Sequence, residues 1–278
     1  MFNKIKNKLA KNIDLEKTKI ERWPLPAYQE NNEPHFLFII TPPFSGSTAL
    51  SELINTSHRT MLLQERGEGQ WLIPGLCEND RWASEKEIEY QSIKAVWLHT
   101  FQKIQRLTQN IDVVIEKSPP NLVRIEKIAN QFSNYSFLAN NRNPYANCAS
   151  ILYRNHDAEN LDSKQRIEIL SNLIKKWLSR SEELKNLIIK HNIPLLTYED
   201  FCEKPSNILN KLNLPNGVKE TINPNAEIKV KDYKIQKISN QNKRQISKLT
   251  TIEISHISSI LKDHRKVLEF FGYYDGIN

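Results

Sequence analysis

The chain has 278 residues, 39% of them hydrophobic and 26% charged, with a formal net charge of +7. These values exclude low-complexity, collagen-like and disulfide-scaffold chains and fit an ordinary globular protein of one large domain or two small ones. The longest strongly apolar run, Phe36–Ile40, is far short of the roughly 20 residues of a membrane helix, and Cys77, Cys148 and Cys202 form no CxxC or Cys/His cluster, so reduced thiols, a cytoplasmic location and no metal are expected.

From the N-terminus, Met1 to Ile20 alternates Lys with Ile and Leu. It lacks an apolar core followed by a small-residue cleavage site and is expected to be a solvated leader helix, with peripheral membrane contact as the alternative. Phe36–Ile40 is a short β-branched and aromatic run bounded by turn residues, which predicts a buried strand. The sequence Thr41-Pro42-Pro43-Phe44-Ser45-Gly46-Ser47-Thr48-Ala49 follows, and a helix is predicted over Ser47–Thr56. Prolines stop the strand, Gly46 permits a tight turn, and the free amides of a helix start favour an anion there. No GK[ST] is present, which disfavours an ATPase or kinase of the Walker type.

Next comes Leu63-Gln64-Glu65-Arg66-Gly67-Glu68-Gly69-Gln70-Trp71-Leu72-Ile73-Pro74, then an amphipathic helix over Lys86–Gln109 and a second strand over Ile111–Ile115. That strand runs into Glu116-Lys117-Ser118-Pro119-Pro120 and a helix over Asn121–Phe132. A third strand, Tyr135–Ala139, leads to Asn140-Asn141-Arg142-Asn143-Pro144-Tyr145 and a helix over Tyr145–Tyr153. Ser150 and Arg154 are four apart on that helix and share a face, so with Arg142 they could hold a phosphate dianion. A long helix spans Ser163–Lys190, a fourth strand Ile193–Leu196, and Thr197-Tyr198-Glu199-Asp200-Phe201 follows. The tail carries Lys229, Lys231, Lys234, Lys237, Lys243, Arg244 and Lys248, and helices are predicted over Lys243–Leu249 and Glu253–Phe271.

Alternating strands and helices predict an α/β fold with a central parallel sheet flanked by helices. Ligands then collect beyond the carboxyl ends of the strands, where the quoted loops lie. The expected organisation is a single domain over 1–278, with a leader at 1–34, an α/β core at 35–218 and a basic segment of loop and helices at 219–278.

The strand followed by P-x-SG-[ST]-T resembles the 5′-phosphosulfate loop of the sulfotransferase family, and Arg142 with Ser150 eight residues on resembles its 3′-phosphate motif. The Glu68 segment, Lys117 before Pro119, Arg154 and the Tyr198-Glu199-Asp200 segment are similar to the tyrosylprotein and bacterial branches of the family. The resemblance runs from Phe36 to Pro205 and implies a P-loop-like nucleotide-binding fold and 3′-phosphoadenosine 5′-phosphosulfate (PAPS) as co-substrate. By that resemblance Ser45, Gly46, Ser47, Thr48 and Ala49 cradle the 5′-phosphosulfate, Arg142, Ser150 and Arg154 hold the 3′-phosphate, and Tyr198 lies against the adenine. Glu68 is the implied base, ahead of Glu65, with burial expected to raise its pKa, and Lys117 is the implied cation beside the moving sulfuryl group.

This sequence departs from the family pattern at Phe44, where a basic residue usually stands. Gly69-Gln70-Trp71 replaces the basic residues that receive acidic tyrosine peptides, so the expected partner is a hydroxyl of a carbohydrate, glycolipid or small molecule, with Trp71 and Trp82 available to stack on it. Trp177 also matches a family position, and a core role is expected for it, as are structural roles for Glu199 and Asp200. The tail lysines Lys231, Lys234 and Lys237 are candidates for a loop over the nucleotide. Two alternatives belong to other classes: a PAPS-binding protein with weak or no turnover, and a basic nucleic-acid or membrane-surface module. Nucleic acid is not the expected partner, because no aromatic recognition motif accompanies the charge.

Overall fold

The computed structural model describes residues 33–274 except 79, 109 and 231–233. The leader Met1–Ile20, the helix end at Gln109 and the candidate Lys231 lie outside the described residues. In chain order the elements are β1 (His35–Ile40), α1 (Ser47–Ile54), β2 (Thr60–Leu62), α2 (Tyr90–Thr108), β3 (Val113–Glu116), α3 (Ile125–Ala129) and β4 (Tyr135–Ala139). Then come α4 (Pro144–Asn155), α5 (Ser163–His191), α6 (Tyr198–Glu203), α7 (Asn207–Lys211), α8 (Asn242–Ile246), α9 (Thr251–Leu261) and α10 (Arg265–Phe270).

The sheet has the order β2-β3-β1-β4 and every pairing is parallel. Alternate residues of a strand face opposite sides, and here both sides are covered by apolar groups. Phe36 and Phe38 of β1 face a cluster with Trp97 of α2 and Phe132, while Leu37 and Ile39 face Leu50, Leu53 and Ile54 of α1. Phe36 and Phe132 have ring centroids 4.1 Å apart, and Trp97 stacks on both Phe36 and Phe132. The register sets Leu37 opposite Ile115 and Ile40 opposite Ala139, so β1, β3 and β4 end close together.

Several predicted elements take a different form. Ile193–Leu196 makes only an isolated parallel bridge, Leu195 with Ala139. Pro194 has no amide to donate, and Thr197 caps α6 immediately afterwards, so the ladder stops there. The fourth strand is instead β2, whose three residues are too short to show an alternation. The helix predicted from Lys86 begins at Tyr90, and the one predicted over Asn121–Phe132 is a 3-10 turn at Pro119–Val123 followed by α3. The predicted Glu253–Phe271 helix is broken into α9, a 3-10 turn and α10. The long helix α5 is close to its predicted span, because Asp162 and Gln165 form a capping box and Asn192 ends it in the left-handed conformation at φ 49°.

Among the described residues no helix is long and apolar enough to cross a membrane. The three cysteines are free, with Cys148 and Cys202 buried.

The aromatic cluster under β1 should dominate stability. Trp97→Ala is expected to cost about 3–5 kcal/mol in urea unfolding, whereas a change below about 1 kcal/mol would mean that the cluster collapses around the lost ring.

Candidate active site

A cavity of about 430 Å³ opens where β1, β3 and β4 end, and it is lined by residues from the loops that follow each of them. The β1 loop contributes Pro43, Phe44, Gly46, Ser47, Thr48 and Ala49. Gly46 sits at φ 84°, and a Cβ there would lie 2.3 Å from Cδ2 of Tyr198, so both the backbone angle and the ring demand glycine. α1 starts at Ser47 with no side-chain cap, which leaves the Ser47 and Thr48 amides available at the cavity, while the Ala49 amide donates to the Gly46 carbonyl at 3.0 Å. Ser45 is not among the lining residues: it is fully buried beneath the loop, and among the described residues its Oγ has no hydrogen-bond partner. Phe44 takes a left-handed φ of 63°, and its side chain packs against the main core cluster.

Lys117 leaves the end of β3 and is 1% exposed. Its Nζ donates to Thr48 Oγ1 at 3.2 Å and to Glu68 Oε1 at 3.1 Å, joining the β1 loop to the Glu68 segment. Glu68 Oε2 accepts from Trp71 Nε1 at 3.0 Å and Gln70 Nε2 at 3.3 Å. Burial pushes the pKa of Glu68 up, but the Lys117 charge and the hydrogen bonds from Trp71, Lys117 and Gln70 outweigh it and hold the pKa below the usual carboxylate range. The expected rise toward neutrality is therefore corrected: Glu68 is an ionised carboxylate. Glu65 is exposed and does not line the cavity.

Behind this pair lies Glu116, a residue for which the sequence reading had no role. It is fully buried. Its carboxylate accepts from the amides of Gly69 at 3.2 Å and Ser118 at 3.1 Å, from Asn121 Nδ2 at 3.0 Å and from the Ser118 hydroxyl. It thus ties the neighbours of Glu68 to the neighbours of Lys117. The Lys117 amide adds a bond to the Gly67 carbonyl at 2.7 Å. The only sequence signal for Glu116 was a charged residue closing an apolar strand.

The opposite wall is built on Arg142, which is 6% exposed. Its Nε donates to Asn242 Oδ1 at 2.8 Å, and Nη1 reaches the Phe44 carbonyl at 3.2 Å and Ser150 Oγ at 3.3 Å. Nη2 has no partner. The guanidinium lies 4.3 Å over the Tyr198 ring, whose hydroxyl donates to the Ser239 carbonyl and accepts from the Gln241 amide. Burial pulls the Arg142 pKa down, which marks a cation poorly compensated by its surroundings. Arg154 is exposed and lines the same wall. Trp177 is a core residue that donates to the Arg142 carbonyl at 3.1 Å, and Glu199 accepts from the Asn143 amide and the Tyr273 hydroxyl, both as structural groups.

From the tail, Ile228 and Gln236 pair across an antiparallel bridge, and Ile228, Val230 and Gln236 line the cavity together with Lys237, Gln241, Arg244 and Lys248. Lys234 is exposed and outside the lining. Asn242, Gln241 and Gln245 could not be found from sequence, since they reach the site only by the return of the chain about 100 residues after Arg142. Of the two candidate stacking tryptophans, Trp82 lines the cavity and Trp71 is engaged with Glu68. Among the described residues no group of His, Cys, Asp and Glu side chains could hold a metal ion.

Burial raises the Glu116 pKa from 4.5 to about 7. The folded state keeps a proton that the unfolded chain releases, so the stability linked to this group is complete below pH 4.5 and is lost as pH rises to about 7. Glu116→Gln should remove on the order of 1–3 kcal/mol of that pH-dependent loss. Urea unfolding at about pH 5 and about pH 8 measures it, and identical pH dependence in the two proteins would contradict the assignment. Glu52, also raised to about 7 chiefly by burial, should leave a residual slope of the same sign in the variant.

No protein-family model and no curated protein matches the chain. Solved structures do. The sulfotransferase STF9 from Mycobacterium avium aligns with a TM-score of 0.50 and 11% identity, covering 93% of this chain and 74% of that one. The sulfotransferase domain from the curacin biosynthetic pathway aligns at 0.48 and 17% identity, over 84% of this chain and 99% of that domain. The sulfotransferase from Alicyclobacillus acidocaldarius aligns at 0.46 and 12%, over 83% and 96%. At such identity the STF9 alignment speaks to architecture alone: this chain has a sulfotransferase-like α/β fold, a parallel four-stranded sheet flanked by helices.

Proposed function

We propose that the chain is a sulfotransferase that uses PAPS and transfers its sulfuryl group to a hydroxyl of a carbohydrate, glycolipid or small molecule. The observation that carries this reading is the buried Lys117 ammonium, in contact at once with Thr48 of the β1 loop and with the Glu68 carboxylate. A fixed cation beside an ionised carboxylate at a helix start is an arrangement for moving an anionic group while removing a proton. The unpartnered, buried Nη2 of Arg142 beside Ser150 supports a phosphate partner on the other wall, where Arg154 adds a second guanidinium.

Bound PAPS would supply an activated sulfuryl group, leaving as adenosine 3′,5′-bisphosphate. In this reading Ser47, Thr48 and Ala49 hold the 5′ end through the start of α1, while Arg142, Ser150 and Arg154 hold the 3′ end and Tyr198 offers a ring for the base. Glu68 takes the acceptor's proton. Lys117 balances negative charge on the transferred oxygens, and through Glu68 it keeps the base ionised before reaction. Lys237, Arg244 and Lys248 on the cavity wall favour a nucleotide rim as the purpose of the tail's charge over a separate nucleic-acid surface.

A second reading, a PAPS-binding protein with little turnover, is favoured by one feature. Phe44 occupies the place of the family's usual cation and packs into the core, so it adds no charge to the cavity. Phe44→Lys separates the two: a gain in turnover from an inactive parent supports the second reading.

Calorimetric titration should give micromolar binding of adenosine 3′,5′-bisphosphate and at least about tenfold weaker binding of AMP. Binding of neither nucleotide would remove the sulfotransferase reading. Glu68→Gln should keep the bisphosphate affinity and lower turnover of labelled PAPS by about 100-fold or more. A fall in affinity with turnover unchanged would reassign Glu68 to binding.

A further inference from the structure

The wall of the cavity beyond Glu68 contains groups that the transfer chemistry does not use. Arg81, Trp82, Gln70, Pro119 and Pro120 all line it. Gln70 is fully buried, its amide nitrogen donates to Glu68, and among the described residues its Oε1 has no hydrogen-bond partner. A buried carbonyl oxygen without a donor is costly and uncommon, which points to a donor supplied from outside. Glu68 beside it is likewise an acceptor. Two adjacent acceptors suit the hydroxyls of a ligand.

The Arg180 guanidinium of α5 lies 3.9 Å over the Trp82 ring. Two other half-buried arginines are paired with carboxylates, Arg59 with Asp112 and Arg166 with Glu253, both at 2.6 Å. Among the described residues neither Arg81 nor Arg180 has a carboxylate partner. Burial, then the like charge of Arg81, pulls the Arg180 pKa down to about 10. Stacking on an indole attracts a guanidinium but does not neutralise it, so this wall carries Arg81 with Arg180 behind Trp82, two guanidiniums without a carboxylate among the described residues, which an anion would stabilise.

Resting on the sulfotransferase reading of the cavity, we infer that the wall formed by Gln70, Arg81 and Trp82, backed by Arg180, is the acceptor subsite, and that it takes a hydroxylated ring bearing a carboxylate, as in a uronic acid glycoside. The ring lies along Trp82 and the two prolines, its hydroxyls donate to Gln70 and Glu68, and its carboxylate faces the arginines. This differs from an acidic peptide in needing one anionic group fixed to a ring rather than a run of side chains.

The test compares p-nitrophenyl β-D-glucuronide with p-nitrophenyl β-D-glucoside, which differ only in the carboxylate, in ligand-observed NMR titrations of the full chain. Wild type should bind the glucuronide at least about fivefold more tightly, and Arg81→Gln and Arg180→Gln should each bring the ratio toward one while leaving adenosine 3′,5′-bisphosphate affinity within about twofold. Equal affinities in wild type overturn the inference without reference to any variant, as does a ratio that survives both substitutions. A fall in bisphosphate affinity in the variants also overturns it, by assigning the arginines to the nucleotide. If the ratio behaves as expected but wild type binds no bisphosphate, the anionic subsite stands and the transferase reading falls.

Discussion

The arrangement depends on one buried cation. Lys117 is 1% exposed, and an ammonium removed from water is costly unless its protons are matched by acceptors and an opposite charge. Thr48 and Glu68 supply both, and each comes from a different loop. Burying the lysine therefore fixes the distance between the β1 loop and the Glu68 segment. Glu116, the preceding residue in the chain, holds the same junction from behind through the amides of Gly69 and Ser118. Two consecutive residues at the end of one strand, pointing to opposite sides as a strand requires, thereby secure the front and the back of the site.

The second wall follows from a different constraint, the close approach of backbone to aromatic ring. Gly46 can pass Tyr198 only without a side chain. Tyr198 in turn carries Arg142 on its face, and Arg142 is anchored by Asn242 from the tail and by the Phe44 carbonyl from the β1 loop. The guanidinium is held by these contacts with Nη2 left over, which is how a rigid scaffold presents a cation to a ligand. The two walls meet at the β1 loop, so any displacement of that loop acts on both.

Much of this was legible in the chain. Apolar strands ending in Thr41-Pro42-Pro43, in Lys117-Ser118-Pro119 and in Arg142-Asn143-Pro144 marked three loops, and a parallel sheet brings such strand ends to one edge. Glu68 was legible only through a resemblance, since a carboxylate among glycines has no periodicity. What misled was local: the apolar run at Ile193–Leu196 has strand composition, yet a proline and a helix cap leave it one bridge. Three-residue β2 pairs in parallel with β3 although it is too short to show a pattern of its own.

The sequence by itself determined the α/β layering and marked the loops at the strand ends, because period and strand punctuation are local properties, while the resemblance singled out Lys117, Glu68, Arg142 and Ser150 as candidates. Tertiary structure decided the rest. It put Ser45 under the loop rather than in the cavity and set Glu68 low in pKa through Lys117 despite its burial. It brought Asn242 to Arg142 across about 100 residues, and among the described residues it left Gln70 Oε1 without a donor and Arg81 and Arg180 without a carboxylate, beside a tryptophan face. Charge compensation and burial depend on which distant segments share a volume, and no spacing along the chain encodes that.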